Sequence, residues 1–461
     1  MSAFQRFHYK TYGDLRAEIE ALGVSVETTE DFSVLHQPLR IGSVTAPNRL
    51  AILPMEGCDS QEDGTPSELV FRRYRRFAEG GAGLLWFEAC AVTNEGRANR
   101  LQMSMRPENL DVFKKLVAQT HKAAMDKHGY RPVCILQLTH SGRYSAPAGV
   151  TPAPLIAQHD PLLDPRVGLT ESDPVVTDDY LDALQEKFVQ SALMAREAGF
   201  DGVDIKACHR YLLSELLASH TREGKYGGGF ENRARMLLQT VRRVRQAVGE
   251  DFIVASRFSM YDAHPYPYGF GVDREDWRKY DLREPLALTR LLIQNGANLL
   301  GTSAGNPYYI YPQYGRPFDT PVLGGGQPTE HPLETIERMF RLCGEVQKAA
   351  GDVPVIGCGY SWLRQFIPHA GAANVAAGRA AMVGMGREGF AYPDCVSDIL
   401  EKGAMDPKKC CIACSKCTQI MRDKGRTGCV IRDGEVYLPL YNQYRAEAQA
   451  RAAQQEGGAH S

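Results

Sequence analysis

Short apolar runs alternate along the chain with longer amphipathic stretches, and that alternation predicts the elements. The runs are Leu50–Pro54 (LAILP), Ala82–Ala89 (AGLLWFEA), Val133–Leu138 (VCILQL), Gly202–Lys206 (GVDIK), Phe252–Phe258 (FIVASRF), Asn298–Thr302 (NLLGT), Val353–Gly357 (VPVIG) and Ala380–Gly384 (AAMVG), each read as a strand. Between them, segments such as Tyr180–Glu197 and Glu231–Val248 place apolar residues at three- and four-residue spacing with a glycine soon after the end, the pattern of amphipathic helices. Strands alternating with helices make a parallel sheet with crossover connections. Eight such units over about 350 residues favour an α/β fold of the closed (β/α)₈ TIM-barrel type over an open doubly wound sheet, with the excess length in loops.

Three stretches break the rhythm. Residues 1–32 form a polar, helical extension. Ser145–Asp178, rich in proline and without helical period, is a long excursion after the third strand. The barrel is expected over 33–395; from 396 the rhythm stops, and 396–461 carry a cysteine cluster and a polar, fraying tail, AEAQARAAQQEGGAHS.

Composition narrows the class. Of 461 residues 43% are hydrophobic and 23% charged, and 53 basic side chains nearly cancel 55 acidic ones. Such a chain can bury a sizeable core, and it has no bulk charge to drive nucleic-acid binding. The start, MSAFQRFHYKTYGDL, lacks an apolar signal core, and no apolar run is long enough to span a bilayer, so a cytoplasmic protein without membrane contact is expected. Twelve cysteines in a reducing compartment suggest metal more than disulfides. Seven are scattered singly, whereas Cys410, Cys411, Cys414, Cys417 and Cys429 crowd into twenty positions.

The spacing Cys411-x2-Cys414-x2-Cys417-x11-Cys429 lets several thiolates on one tight turn face a single centre, with a fourth closing it. Three cysteines in seven residues favour iron–sulfur ligation over the paired halves of a zinc site. Cys410 abuts the first ligand and competes with it, but the spacing favours Cys411. A literal G-x-G-x-x-G at Gly384, Gly386 and Gly389 follows a strand but lacks the helix, second strand and acidic residue of a dinucleotide fold. Gly386 and Arg387, with Gly357 and Gly359 after the seventh strand, read better as the phosphate site such barrels build between their last two strands. Tyrosine-rich loops, YDAHPYPYGFG from Tyr261 and NPYYIYPQYGRPF from Asn306, suit the wall of a pocket for a flat or extended substrate. After the fourth strand, Lys206, His209 and Tyr211 leave the strand end together and bring a cation, an imidazole and a phenol toward one place.

Five motifs in collinear order carry a family resemblance: NRLAILPMEG (from Asn48), QLTHSGR (from Gln137), GFDGVDIKACHRYLLSELL (from Gly199), YGGGFENRARML (from Tyr226) and MVGMGR (from Met382). Over about residues 34–395 the chain resembles the old yellow enzymes, FMN-dependent (β/α)₈ oxidoreductases. The cysteine cluster makes it similar to their iron–sulfur branch, which includes 2,4-dienoyl-CoA reductase and trimethylamine dehydrogenase and carries FMN and a [4Fe–4S] cluster. The resemblance implies Pro54, Met55, Glu56 and Ala89 against the isoalloxazine ring, Gln137 on its pyrimidine edge and Arg257 near N1 and O2, with Gly359, Gly386 and Arg387 on the phosphate. It implies Cys411, Cys414, Cys417 and Cys429 as cluster ligands.

It also implies a reaction. His209 matches a carbonyl-binding position of the family and Tyr211 its proton donor, while Lys206 stands where a histidine is usual. The expected activity is reduction of an activated C=C bond in a small unsaturated substrate, an enone or enoyl thioester. Hydride comes from flavin N5, Tyr211 protonates the α-carbon, and His209 and Lys206 polarise the carbonyl. Long members of the branch continue into dinucleotide-binding domains that do not follow here, so electrons are expected from a separate donor protein or from NAD(P)H directly. Amine dehydrogenation and a redox sensor without turnover are the competing readings, and the oligomeric state is left open, a homo-oligomer included.

Overall fold

A computed structural model describes residues 3–309 and 314–458. Eight parallel strands close into a barrel. A two-stranded antiparallel hairpin comes first, β1 (Leu39–Ile41) and β2 (Val44–Ala46); the barrel follows with β3 (Leu50–Ile52), β4 (Leu84–Ala91), β5 (Val133–Thr139), β6 (Gly202–Ile205), β7 (Ile253–Tyr261), β8 (Leu299–Ala304), β9 (Val355–Gly357) and β10 (Met382–Met385). Neighbours in sequence are neighbours in space, and β10 returns to β3 with Val383 opposite Leu50 and Gly384 opposite Ala51. Every strand expected from the apolar runs is present, with ends shifted by a few residues.

The runs are continuously apolar because each strand is buried on two faces. Leu84 and Trp86 of β4 and Ile135 of β5 point into the barrel, where Ile41 and Ala46 of the hairpin join the same apolar cluster. The alternate residues Leu85, Phe87 and Leu136 point outward into the layer shared with the helices. The helix Asp178–Glu197 shows why the surrounding shell forms. The Thr177 side chain accepts the Tyr180 N–H at its start, Asp178 and Asp179 favour the positive helix end, and Leu181, Leu184, Phe188, Ala192 and Ala195 form its buried stripe.

The excursion after β5 is irregular apart from one 3₁₀ turn, Asp164–Val167. The N-terminal helix, Tyr12–Leu22, opens on a Thr11–Asp14 capping box and ends at Gly23, whose φ of 65° suits glycine. Beyond the barrel come Cys395–Lys402, the cysteine loop, Lys416–Arg422 and a long helix, Gly434–Gly458. The expected fraying tail is therefore helical up to Gly458; its Ala, Gln, Glu and Arg are strong helix formers, and the helix continues from a first turn anchored on the barrel. Residues 459–461, and Ile310–Gln313 of the second tyrosine loop, lie outside the described residues. Among the described residues no helix is long and apolar enough to cross a membrane.

That anchor is a buried ion network. Arg73, on the helix Glu68–Glu79, donates to Asp59, to Glu88 Oε1 of β4 at 2.6 Å and to the Thr427 carbonyl at 2.8 Å. Tyr437, in the first turn of the long helix, donates its hydroxyl to Asp59 at 2.9 Å. Above the guanidinium runs Gly57, where a β-carbon would stand 1.8 Å from Arg73 Nη1. At the helix surface Asp433 takes both Arg72, at 2.7 and 2.8 Å, and Arg76 at 2.7 Å. Arg73→Met strands two buried carboxylates without their cation, and is expected to destabilise the protein by about 3–5 kcal/mol, read by urea unfolding; a loss under about 1 kcal/mol would show that the network does not hold the C-terminal segment.

Candidate active site

The C-terminal ends of the barrel strands open on one cavity of about 800 Å³. Its wall takes Pro54, Met55 and Glu56 after β3, Gln137 of β5, Lys206, His209 and Tyr211 after β6, Arg257 of β7, Gly359 after β9, and Gly386 and Arg387 after β10. Residues scattered over more than three hundred sequence positions thus meet where such barrels carry their chemistry. Ala89 does not join them; it is fully buried within β4.

One carboxylate orders the floor. Asp204 of β6 accepts Gln137 Nε2 at 2.6 Å, Trp86 Nε1 at 3.0 Å and the Arg257 backbone N–H at 2.7 Å. Burial pushes its carboxyl up to about 6, and these three donors oppose that shift. Spending the Gln137 amide N–H on Asp204 fixes which way that side chain faces. Arg257, 8% exposed, keeps Nε without a partner.

A second donor cluster lies at the β9 and β10 ends. Arg387 Nη2 and Arg316 Nη2 both reach Thr418 Oγ1, at 3.2 and 3.3 Å, while Arg387 Nε and Arg316 Nη1 are buried without partners. Burial first and then the neighbouring Arg387 push Arg316 down to about 9. Two desolvated guanidiniums side by side with unspent N–H groups demand an anion. Gly359, with φ 97°, and Gly386 line the cavity at this end without side chains. The donor set fits a phosphate, and Arg257, Gln137 and the Pro54–Glu56 turn fit a polar-edged flat ring such as that of FMN.

The constellation after β6 is tightly built. His209 and Arg210 both adopt left-handed backbone, φ 62° and 59°, which turns the chain back over the cavity before Tyr211 starts the helix Leu212–Leu217. Lys206 Nζ donates to Glu56 Oε1 at 2.8 Å, and the Tyr211 hydroxyl donates to Glu56 Oε2 at 3.0 Å. The Lys206 ammonium also sits 4.0 Å from the Tyr211 ring centroid. Burial, then Glu56, push the Tyr211 phenol far up. His209 Nε2 lies 2.8 Å from Ser303 Oγ, and burial, then Arg257 and Lys206, push this imidazole well below its usual range, so it is neutral. Glu56, expected against the flavin, lines the cavity, and its carboxylate also links Lys206 and Tyr211. The pairing is invisible in sequence because the two ends lie 150 residues apart.

The four cysteines of the motif line one small cavity together with Arg387, Phe390, Ile412 and Val430. Ala413 and Ser415, at φ 49° and 57°, bracket Cys414 and wind the loop around that space. The Ala413 and Arg432 N–H groups donate to Cys411 Sγ at 3.4 Å and Cys429 Sγ at 3.3 Å. Cys410 donates to the Asp406 carbonyl at 3.4 Å and is not among the residues lining this space, whereas Cys411 is. Four cysteines around one small cavity form a donor set that fits an iron–sulfur centre. None of the twelve cysteines is paired in a disulfide. Glu388, on the turn of helix after Arg387, accepts the Cys411 N–H at 3.1 Å and ties this loop to the phosphate-type site.

Comparison with known proteins follows the same lines. The model of the NADH:flavin oxidoreductase / NADH oxidase family matches residues 34–268. The chain is 28% identical over 381 residues to an NADH oxidase of Thermoanaerobacter brockii, covering 82% of this chain and 52% of that protein. It is 26% identical over 416 residues to a cinnamate reductase of Clostridium sporogenes, covering 87% and 58%. The chain thus spans just over half the length of these relatives. Among solved structures, a complex of 2-naphthoyl-CoA reductase with 2-naphthoyl-CoA superposes with a TM-score of 0.69 at 20% identity, over 90% of this chain and 58% of that one, a likeness of fold. With the family model matching half the chain and the closed barrel carrying its motifs around one cavity, the protein belongs to the NADH:flavin oxidoreductase / NADH oxidase family, the family of the old yellow enzymes.

Proposed function

We propose that the chain is an FMN- and iron–sulfur-dependent oxidoreductase that reduces an activated C=C bond, as in an enone or enoyl thioester. The observation that carries the reading is the Lys206–Glu56–Tyr211 chain on the wall of the cavity that also holds Arg257, Gly386 and Arg387. When bound, FMN would supply hydride and a [4Fe–4S] cluster on Cys411, Cys414, Cys417 and Cys429 would supply single electrons.

The protein's own part is positioning and proton transfer. Arg387, Arg316 and the glycine backbone would hold the phosphate, and Arg257 would face the ring edge where negative charge collects on reduction. Tyr211 stays protonated in its buried setting and holds the proton that the α-carbon requires. Lys206 pairs with Glu56, and Glu56 holds the Tyr211 hydroxyl in place. Lys206 acts on this pair through one N–H and keeps the others for the substrate carbonyl. Neutral His209, set by Ser303, also polarises the carbonyl by hydrogen bonding. The reductant is NAD(P)H at the flavin or a separate electron-donor protein at the cysteine site.

Tyr211→Phe and Glu56→Gln are each expected to slow reoxidation of reduced flavin by an enone or enoyl thioester by about 10²-fold or more, with flavin reduction unchanged. Stopped-flow measurement of the two half-reactions checks this, and equal slowing of both would remove the acid–base assignment. Cys417→Ser is expected to strip iron and acid-labile sulfide from anaerobically prepared protein while flavin stays bound. Full iron content after that change would take Cys417 out of the ligand set, and wild-type protein with flavin but no iron would overturn the iron–sulfur reading.

A further inference from the structure

One part of the cavity wall is unused by this chemistry. The segment Arg97–Asn99, beyond β4, is tied to the excursion after β5 through the Ala146 N–H on the Arg97 carbonyl at 2.8 Å, and to the C-terminal segment through Lys424 Nζ on the Ala98 carbonyl at 3.0 Å. Asn99, Ser145 and Lys424 all face the cavity from these three segments. Asn99 is 2% exposed; its Oδ1 accepts the Leu101 N–H at 2.9 Å, which fixes the amide orientation and leaves Nδ2 buried without a partner. Ser145, 1% exposed, likewise has a buried hydroxyl with no partner. The Lys424 ammonium has three N–H groups, of which the neutral Ala98 carbonyl takes one. Its backbone is held left-handed, φ 66°, a conformation a lysine rarely adopts.

Unspent donors gathered on a cavity wall call for an acceptor, and charge says which kind. Among the described wall residues Glu56 is the one carboxylate, and its two oxygens accept Lys206 and Tyr211. Glu56 attracts Lys424 through space, but among the described residues no carboxylate stands in ion-pair contact with that ammonium. We propose that Lys424, Asn99 and Ser145 form a carboxylate-binding subsite, and that the unsaturated substrate carries a carboxylate that docks there. The inference rests on the C=C reduction reading for the word unsaturated, and on the wall residues alone for the carboxylate.

The test is binding to the oxidised, FMN-loaded protein, followed by perturbation of the flavin absorbance. The probes are trans-cinnamate, the saturated hydrocinnamate, and the methyl ester of each. Both acids are expected to bind at least about tenfold more tightly than their esters, since a charge-assisted contact is lost on esterification. Lys424→Met should weaken both acids by about tenfold or more and leave the esters within about twofold; Lys424→Arg should restore most of the loss, and Asn99→Ala should weaken the acids by about threefold. An unchanged flavin spectrum in the ester-bound variants shows that the site is intact. Wild-type protein with no preference for acids over esters, or a Lys424→Met change that weakens both alike, overturns the subsite. Hydrocinnamate has no double bond and no turnover is measured, so this result is independent of whether the C=C reaction itself stands.

Discussion

The buried Arg73 guanidinium is the constraint on which the working end of the molecule depends. It joins the Glu68–Glu79 helix, the turn after β3, strand β4 and the C-terminal segment through Asp59, Glu88, Thr427 and Tyr437. A charge buried this deeply persists only when its partners are also fixed. The same contacts therefore set the turn that carries Glu56: Gly57 passes over the guanidinium, its N–H on Glu88 Oε2 at 2.7 Å and its carbonyl taking the Thr427 N–H at 2.6 Å. Seating the C-terminal segment and aiming the Glu56 carboxylate are one packing problem.

From that seat the C-terminal segment does more than hold cysteines. It lends Thr418 and Ser415 to the paired arginines, places the cysteine loop next to Arg387, and brings Lys424 to the cavity. The cavity is accordingly rich in donors with unspent hydrogen-bonding capacity at its phosphate-type end, at Arg257 and along Asn99 and Ser145. A pocket desolvated in this way is costly to the empty protein and receptive to anionic and carbonyl-bearing ligands, which is the electrostatic character expected of a site that stabilises developing negative charge.

Much of this was legible in sequence, and the reason differs from residue to residue. The strands could be read because a doubly buried parallel strand has to be apolar at consecutive positions, as Leu84–Phe87 are. Lys206, His209 and Tyr211 could be read because they crowd one strand end, and the cysteines because their spacing is local. Glu56 was legible as a neighbour of the flavin position but not as the partner of Lys206, since nothing near Met55 points to a residue 150 positions away. Asp204 stood in plain view within GVDIK, yet its role follows only from an inward-facing carboxylate meeting Trp86, Gln137 and Arg257 from three other strands. Arg316, Asn99 and Lys424 carried no motif at all. The helical end of the chain was misread because its polar composition is equally that of a good helix former, and the anchoring by Tyr437 and Asp433 decides between the two.

By itself, then, the sequence determined the barrel, the order of its strands, the polar cluster after the fourth barrel strand and the four thiols, because each is written in short-range periodicity or spacing. Tertiary structure alone decided which charges meet. Pairing Lys206 with Glu56, setting Arg316 beside Arg387 and bringing Lys424 to the cavity depend on barrel closure and on the C-terminal segment folding back over the strand ends. Such contacts are fixed by the desolvation of charges that lie far apart along the chain, and no local pattern encodes them.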